Sequence, residues 1–317
     1  MSVSAEPSIE ALGGPGLLAG VRRAGLATRP GFLVASVLPV LVGTTWGAQS
    51  GSGLDGLALC LALGAAVLMA AAANVWNDVC DDACGTDRLN TQHVYPFSGG
   101  SRFIQNGVLS ANQMGRLAAA LALAAALLGA ILIWRHGWPV LGFGLAGLAL
   151  GLFYSWPPVQ LAGRGLGELT VGLAYGVLPV CGAAWLQSSL WDKDALWLSV
   201  PVSAWIAAVL LINEVPDRKA DAAVGKRTLP VRVGRVSTAG LYAGLQLLGL
   251  AGVAAWAGLA GLPTWPLVFF ACLAAVAWVA ASRVARDPAA VGPTMRLTLA
   301  VHAAGCAGLI AWMLLAP

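Results

Sequence analysis

Nine stretches of nearly unbroken apolar residues run along this chain, at roughly 31–49, 54–77, 113–134, 138–154, 166–187, 195–213, 237–258, 263–282 and 295–316. A helix needs about 20 apolar residues to cross the hydrocarbon of a bilayer. Each stretch is close to that length, so the pattern predicts an all-α polytopic membrane protein with nine transmembrane helices. The polar positions fall between the stretches. Glycine, proline or charge marks the breaks, as in Gly51-Ser52-Gly53, Arg135-His136-Gly137 and Asp192-Lys193-Asp194. Ahead of the first stretch, the opening 20 residues carry Glu6 and Glu10 and no Lys or Arg, unlike the basic start of a secretory signal. The expected layout is a tail over residues 1–29, with a surface helix ending at Arg22-Arg23, and a membrane domain over residues 30–317.

Composition agrees. Of 317 residues, 58% are hydrophobic and 10% charged, and the mean hydropathy is +0.78. Soluble domains average roughly 25% charged residues. A soluble fold could not cover this much apolar surface. Charge then orients the spans. With the N-terminus on the cytoplasmic side, 16 of the 18 Lys and Arg residues fall on that side, and Arg135 and Lys193 fall outside. That is the positive-inside bias, and it favours an odd number of spans with an external C-terminus. The net charge of +4 is therefore topological and implies no nucleic-acid partner. The six cysteines form no Cys-x-x-Cys pair, and Cys80 and Cys84, one turn apart, have no further Cys or His at zinc-site spacing. They read as small packing residues in a cell-membrane protein.

Half of the chain's 14 acidic residues sit in two short segments. The first runs from Asn74 to Asp87 and the second from Asn213 to Asp221. Each contains Asn-x-x-x-Asp, as Asn77/Asp81 and Asn213/Asp217, and the two asparagines are 136 residues apart. Both fall at cytoplasmic ends of spans, the second and the sixth. Carboxylates are costly beside hydrocarbon, and a compensating partner is expected. On a helix, Asn74, Asn77, Asp78 and Asp81 share one face, as do Asn213, Asp217 and Asp221. Each helix end is thus expected to present a ladder of oxygen ligands. Hard oxygen donors suit Mg²⁺ or Ca²⁺, and magnesium commonly bridges carboxylates to substrate phosphates. The plain alternative is a solvated helix end with ion pairs to Arg88 and Arg218.

Basic residues follow each ladder. After the first come Arg88 and Ser98-Gly99-Gly100-Ser101-Arg102, and after the second Gly225-Lys226-Arg227-Thr228-Leu229. Lys and Arg neutralise phosphate charge, Arg with two parallel hydrogen bonds. A metal-held diphosphate beside an apolar cavity suits one chemistry in particular. Loss of diphosphate from an allylic chain gives a carbocation, which water-excluding apolar and aromatic walls preserve for transfer.

These residues resemble the UbiA superfamily of intramembrane prenyltransferases, and within it the branch containing the menaquinone-pathway 1,4-dihydroxy-2-naphthoate prenyltransferases. The first segment is similar to that branch's Asn-Asp-x-x-Asp-x-x-x-Gly-x-Asp, met by Asn77, Asp78, Asp81, Gly85 and Asp87. The second resembles Asn-x-x-x-Asp-x-x-x-Asp followed by Gly-Lys-x-Thr-Leu, met by Asn213, Asp217, Asp221 and Gly225 to Leu229. A third match, Tyr154 to Glu168, resembles Tyr-x-x-x-Pro followed by Arg-Gly-x-Gly-Glu. The likeness runs from about residue 30 to the end. It implies nine helices bundled around a central cavity, with Mg²⁺ and a polyprenyl diphosphate at the cytoplasmic mouth and a small-molecule acceptor beside them. Asn77, Asp81, Asn213 and Asp217 would be the core metal set, assisted by Asp78 and Asp221. Lys226, Arg102 and Arg164, with Arg88 and Arg227 nearby, would meet the diphosphate. Tyr154 would stabilise the cation or position the acceptor, and Asp87 would orient or deprotonate it. The chain departs from the branch at Glu214 and Pro216, where Asn-Asn-x-Arg-Asp is usual, and from the hydroxybenzoate branch at Pro158, where Lys is usual. Both departures leave open another aromatic, or a non-aromatic nucleophile, as acceptor.

Among the other polar residues, Glu168 is expected to pair with Arg164 one turn back. His93 reads as a loop residue or a base at the acceptor. Trp76 and Trp156 border the expected mouth, and most other tryptophans fall at membrane interfaces. Two readings compete with an enzyme. A cation-coupled transporter would hold its acids near the midplane. A magnesium-binding scaffold would leave the Lys226 and Arg164 motifs without a role.

Overall fold

A computed structural model describes residues 6–51 and 53–315. Residues 1–5 of the expected tail, Ser52 in the first connection, and residues 316–317 at the end of the ninth span lie outside the described residues. Fourteen α-helices account for most of the described chain, with no strand among the described residues. Two short helices lead, α1 (Ile9–Leu12) and α2 (Leu17–Ala27). The surface helix of the tail therefore does not end at Arg22-Arg23 but continues through it to Ala27. Then follow α3 (Pro30–Ser50), α4 (Gly56–Cys84), α5 (Thr86–Leu89), α6 (Ala111–His136) and α7 (Pro139–Ser155). The next span, Gly167–Ser188, is α8 (Gly167–Gly172) and α9 (Leu178–Ser188) joined by a π-helical turn at Leu173–Val177. The chain ends with α10 (Lys193–Asn213), α11 (Arg218–Ala223), α12 (Leu229–Leu259), α13 (Leu267–Arg286) and α14 (Val291–Leu315).

Eight helical segments among the described residues are long and apolar enough to span a membrane. The expected fourth span, α7, has 17 residues. At 1.5 Å per residue it reaches about 25 Å, short of a typical hydrocarbon core of about 30 Å. Its length is limited by Gly137 and Pro139 at one end and by Pro157 at the other, which proline's fixed φ and missing N–H explain. Other ends are set by capping. Asp55 begins α4 by accepting from Ala58 N at 2.9 Å. Ser110 and Gln113 form a reciprocal capping box on α6. Gly85, at φ 89°, stops α4 and gives its N–H to the Asp81 and Asp82 carbonyls.

Lipid offers helices no hydrophobic force toward one another, so close packing needs small residues. Helix α3 shows this: Gly43, Gly47 and Gly51 lie against the carbonyls of Val180, Ala184 and Gln187, and a Cβ at Gly51 would stand 2.8 Å from Gln187 O. Helix α10 is the most enclosed span. Its Trp205 sits between Gly249 of α12 and Gly305 of α14, both of which lack the Cβ that would strike the indole. Trp205, Trp256, Phe270 and Trp312 stack there into a core. Away from this core, α3, α4, α7, the α8–α9 span and α10 enclose an open centre.

Candidate active site

The first acidic segment rides on one continuous helix. Because α4 runs on to Cys84, Asn74, Asn77 and Asp81 stay on one face and line a cavity of about 200 Å³. Asn77 Nδ2 donates to Asp81 Oδ2 at 3.1 Å and to Ser155 Oγ at 2.9 Å. Asp78 and Asp82 turn aside. Asp78 is buried and accepts from Ser101 N at 3.2 and 3.1 Å. Asp82 is clamped by Arg88 at 2.9 and 3.0 Å.

The second segment does not form the expected single helical face. Helix α10 stops at Asn213, residues 214–217 turn, and α11 starts at Arg218. Pro216 has no N–H for the Ile212 carbonyl, and its ring disfavours a helical Val215. The turn carries Asp217 across to the 86–101 loop, where Asn90 Nδ2 donates to Oδ1 at 2.6 Å and Gly99 N to Oδ2 at 3.2 Å. Gly225, at φ 82°, reverses the chain after α11. Lys226 Nζ then reaches Asp81 Oδ1 at 2.5 Å and lies 3.7 Å from Asp221 Oδ1. One ammonium group thus ties the two segments together.

The loop between them is a clasp. Gly99 and Gly100 have φ of 73° and 76°, a region glycine enters without penalty. A Cβ at Gly100 would lie 3.1 Å from Asp78 Oδ1 and collide with the Asp87 carboxylate. So Ser98–Arg102 gives backbone N–H groups to an acid of each segment, Asp78 from Ser101 and Asp217 from Gly99. Arg102, at φ 64°, donates to the Asp87 carbonyl at 2.7 Å and lies 4.0 Å from Glu6.

The electrostatics follow from crowding. Burial, then Asp81 and Asp78, pushes the Asp87 carboxyl up to about 8. Burial raises Asp221 to about 7, with Lys226 pulling the other way. Asp217 is raised by burial against the pull of Asn90 and Gly99. Glu214 is pushed well up by burial and then by Glu168. Burial works to lower Lys226, and the Asp81 and Asp221 carboxylates outweigh it and hold it above the usual lysine range. A site with this much negative charge is short of cations.

A second, apolar cavity of about 330 Å³ adjoins the first. Ala73, Gly151, Ala174 and Tyr175 border both. Twelve alanines and glycines from α4, α6 and α7 line it, which leaves the space unfilled. Ala126, Gly144, Leu145 and Leu148 line it and are also exposed, so it opens sideways between α6 and α7, on the lipid-facing flank.

The model of the UbiA prenyltransferase family matches residues 36–312, nearly the whole bundle. The chain belongs to the UbiA prenyltransferase family. It is 32% identical over 228 residues to the UbiA prenyltransferase domain-containing protein 1 of Dictyostelium discoideum, covering 70% of this chain and 67% of that one. It is also 32% identical over 226 residues to the 1,4-dihydroxy-2-naphthoate octaprenyltransferase of Mycobacterium tuberculosis, covering 71% and 74%. Among solved structures, a UbiA homologue from Archaeoglobus fulgidus bound to GPP and Mg²⁺ superposes with a TM-score of 0.61 at 15% identity, covering 91% of this chain and 99% of that one. The protein is thus a multi-pass membrane prenyltransferase with the family's all-helical fold.

The polar cavity gathers Asn77, Asp81, Asp87, Tyr154, Asn213, Asp217, Asp221 and Lys226 of the residues expected from sequence. Asp78, Arg88, Arg102, Arg164 and Arg227 do not line it. Arg88 is held by Asp82, and its side chain is 68% exposed. Arg164 turns outward to the Pro158 carbonyl at 2.8 Å, so it forms no pair with Glu168. Arg227 is exposed, with its backbone N bonded to Gly163 O at 2.8 Å. His93 is held between Glu6 and the Asn90 carbonyl and does not line the cavity. Trp76 borders a third small cavity and Trp156 is stacked on Phe153 at the surface. Sequence reasoning counted Arg29 only as a topology charge. It lines the cavity, and its Nε is buried and unpartnered. Its signal was its place directly before Pro30, which starts α3 and pins the arginine at the mouth.

Proposed function

We propose that this protein transfers a prenyl chain from an allylic polyprenyl diphosphate to an aromatic, quinone-precursor acceptor such as dihydroxynaphthoate, in a Mg²⁺-dependent reaction. The observation that carries the reading is the junction of the two cavities. Hard oxygen donors and cations fill one, apolar walls fill the other, and Tyr175 stands at the boundary. The relatives' naphthoate substrate and the GPP and Mg²⁺ of the Archaeoglobus homologue support it.

The donor set fits magnesium. Asn213 Oδ1 is buried without a partner, and every donor is oxygen. Among the described residues no three acidic, histidine or cysteine side chains converge into a closed shell. Asn77, Asp81, Asn213 and Asp217 would hold the ion, with Asp221 and Asp78 supporting. When bound, magnesium would neutralise the charge of the departing diphosphate. Lys226 and Arg29 would add positive charge to the same oxygens. The allylic C–O bond breaks with its electrons leaving on diphosphate, and the ring carbon of the acceptor takes the chain. Tyr154 faces the resulting cation, the apolar cavity excludes water, and Asp87 orients the acceptor and receives its proton. Residues 30–317 form the catalytic domain in this reading, in the cell membrane. The tail of residues 1–29 and the active site are cytoplasmic, and the C-terminus is external.

The test is direct. Purified protein in lipid nanodiscs, given Mg²⁺, a labelled allylic diphosphate and hydroxylated naphthalene acceptors, releases pyrophosphate in step with a prenylated product. Chelation stops both. If Asp81→Ala and Asp217→Ala leave turnover intact, the mechanism is wrong. A transporter would instead move its substrate without releasing pyrophosphate.

A further inference from the structure

Two acids near the site have no role in the mechanism above. Glu168 is 7% exposed and Glu214 8%. Glu214 lines the polar cavity. Gly167, directly before Glu168 in the chain, packs against it, and Tyr154 lines the same cavity. Glu168 Oε1, Glu168 Oε2 and Glu214 Oε2 are buried with no partner. The neighbouring cations are spoken for. Arg164 bonds to Pro158 O and Lys226 bonds to Asp81. The fold makes room for this arrangement: a Cβ at Gly167 would stand 3.3 Å from Leu210 Cδ2 and 3.5 Å from Glu214 Oε1.

Buried carboxyl oxygens without donors are costly, on the order of 1–3 kcal/mol for each unmet group. They persist where a ligand supplies the missing hydrogen. Resting on the prenyl-transfer reading, we propose that Glu214, backed by Glu168, forms the acceptor subsite and binds a hydroxyl group of the acceptor by accepting its hydrogen bond. A carboxylate offers only lone pairs to a ligand, so Glu214 selects O–H donors and rejects the same skeleton capped as an ether. It also sets the geometry. An acceptor held at Glu214 lies between Tyr154 and the Asp217–Asp221 wall, at the diphosphate end of the prenyl chain. A site that binds buried polar groups of a substrate discriminates strongly against analogues lacking them.

The probes are 1,4-dihydroxynaphthalene and 1,4-dimethoxynaphthalene, titrated by calorimetry against the full chain in nanodiscs. The dihydroxy probe should bind at least 10-fold more tightly to the unaltered protein. Glu214→Leu should bring the two affinities within about 2-fold, and Glu214→Gln and Glu168→Gln should narrow the gap several-fold. KM for the allylic diphosphate should stay within 2-fold in the Gln variants while KM for the acceptor rises. If Glu214→Leu fails to fold, the two Gln variants decide. Equal binding of both probes by the unaltered protein, or an unchanged ratio in the Gln variants, overturns the proposal. Binding discrimination without any prenyl transfer would instead overturn the function proposed above and leave the subsite standing.

Discussion

Between Asn77 and Asp81 the chain stays helical, and between Asn213 and Asp217 it turns. Both segments read Asn-x-x-x-Asp. In the first, the asparagine bonds to its own aspartate along the helix. In the second, Asn213 Oδ1 is left free while Asp217 is taken by Asn90 and Gly99 from elsewhere in the chain. The cause is Pro216, which ends α10. The difference teaches that the two ladders have separate jobs. One is a rigid rail fixed to a span. The other is a bend whose position depends on the loop it grips.

The largest effects should come from the paired acids. Asp81→Asn and Asp217→Asn should each lower kcat/KM by about 10³-fold, in line with the loss of a group that stabilises developing charge. Asp81→Asn should be the worse of the two, because it also strips Lys226 of its partner. The next effect is on stability. Lys226→Met leaves Asp81 and Asp221 buried without a counter-charge, at a cost of roughly 3–5 kcal/mol in chelator. Added Mg²⁺ should restore much of the lost Tm, because an ion bound only to the folded state stabilises it. Both are readable by thermal unfolding in detergent.

Proline placement tests the rail against the bend. Val79→Pro should break α4 and cost about 3 kcal/mol. Pro216→Ala should cost roughly 1–3 kcal/mol and slow turnover about 10-fold, as a lengthened α10 draws Asp217 away from Asn90. A Pro216→Ala enzyme with full activity would show that the bend is incidental. Asn90→Ala should cost roughly 1–3 kcal/mol by unpairing the buried Asp217 carboxylate.

The smallest effect concerns the tail. The Glu6 carboxyl is held below its usual value, first by its hydrogen bond to His93. A carboxyl lowered in the folded state adds stability above its unfolded pKa and loses it as pH falls through the folded one. The contacts of Glu6 with His93 and Asn106 should therefore loosen below about pH 4, seen as faster proteolysis around α1 and α2. Glu6→Gln should show the same loosening at neutral pH.

Eight of the nine expected spans and both acidic segments were legible in the sequence because apolar length and acid placement are local signals. Asn77 and Asp81 were readable as a ladder for the same reason. What escaped was set by tertiary contact. Arg88 was expected at the diphosphate but follows Asp82, six residues back and one turn past Gly85. Arg164 and Glu168 have the spacing of an ion pair, but Gly165 and the short α8 separate their directions. Arg29 looked like one more inside positive charge, and only the bundle shows it facing the acids of both segments. The bend at Pro216 was visible as a proline, but not as the device that hands Asp217 to a loop more than a hundred residues away.

The sideways opening between α6 and α7 has a consequence for traffic. A prenylated aromatic carries many methylenes, and moving each from hydrocarbon to water costs about 0.8 kcal/mol. With the proposed chemistry, the chain would lie in the apolar cavity before, during and after transfer. Only the diphosphate, which is charged and water-loving, would leave by the polar mouth. Products would thus part by solubility, each into the phase it prefers, with no lid or motor needed to separate them.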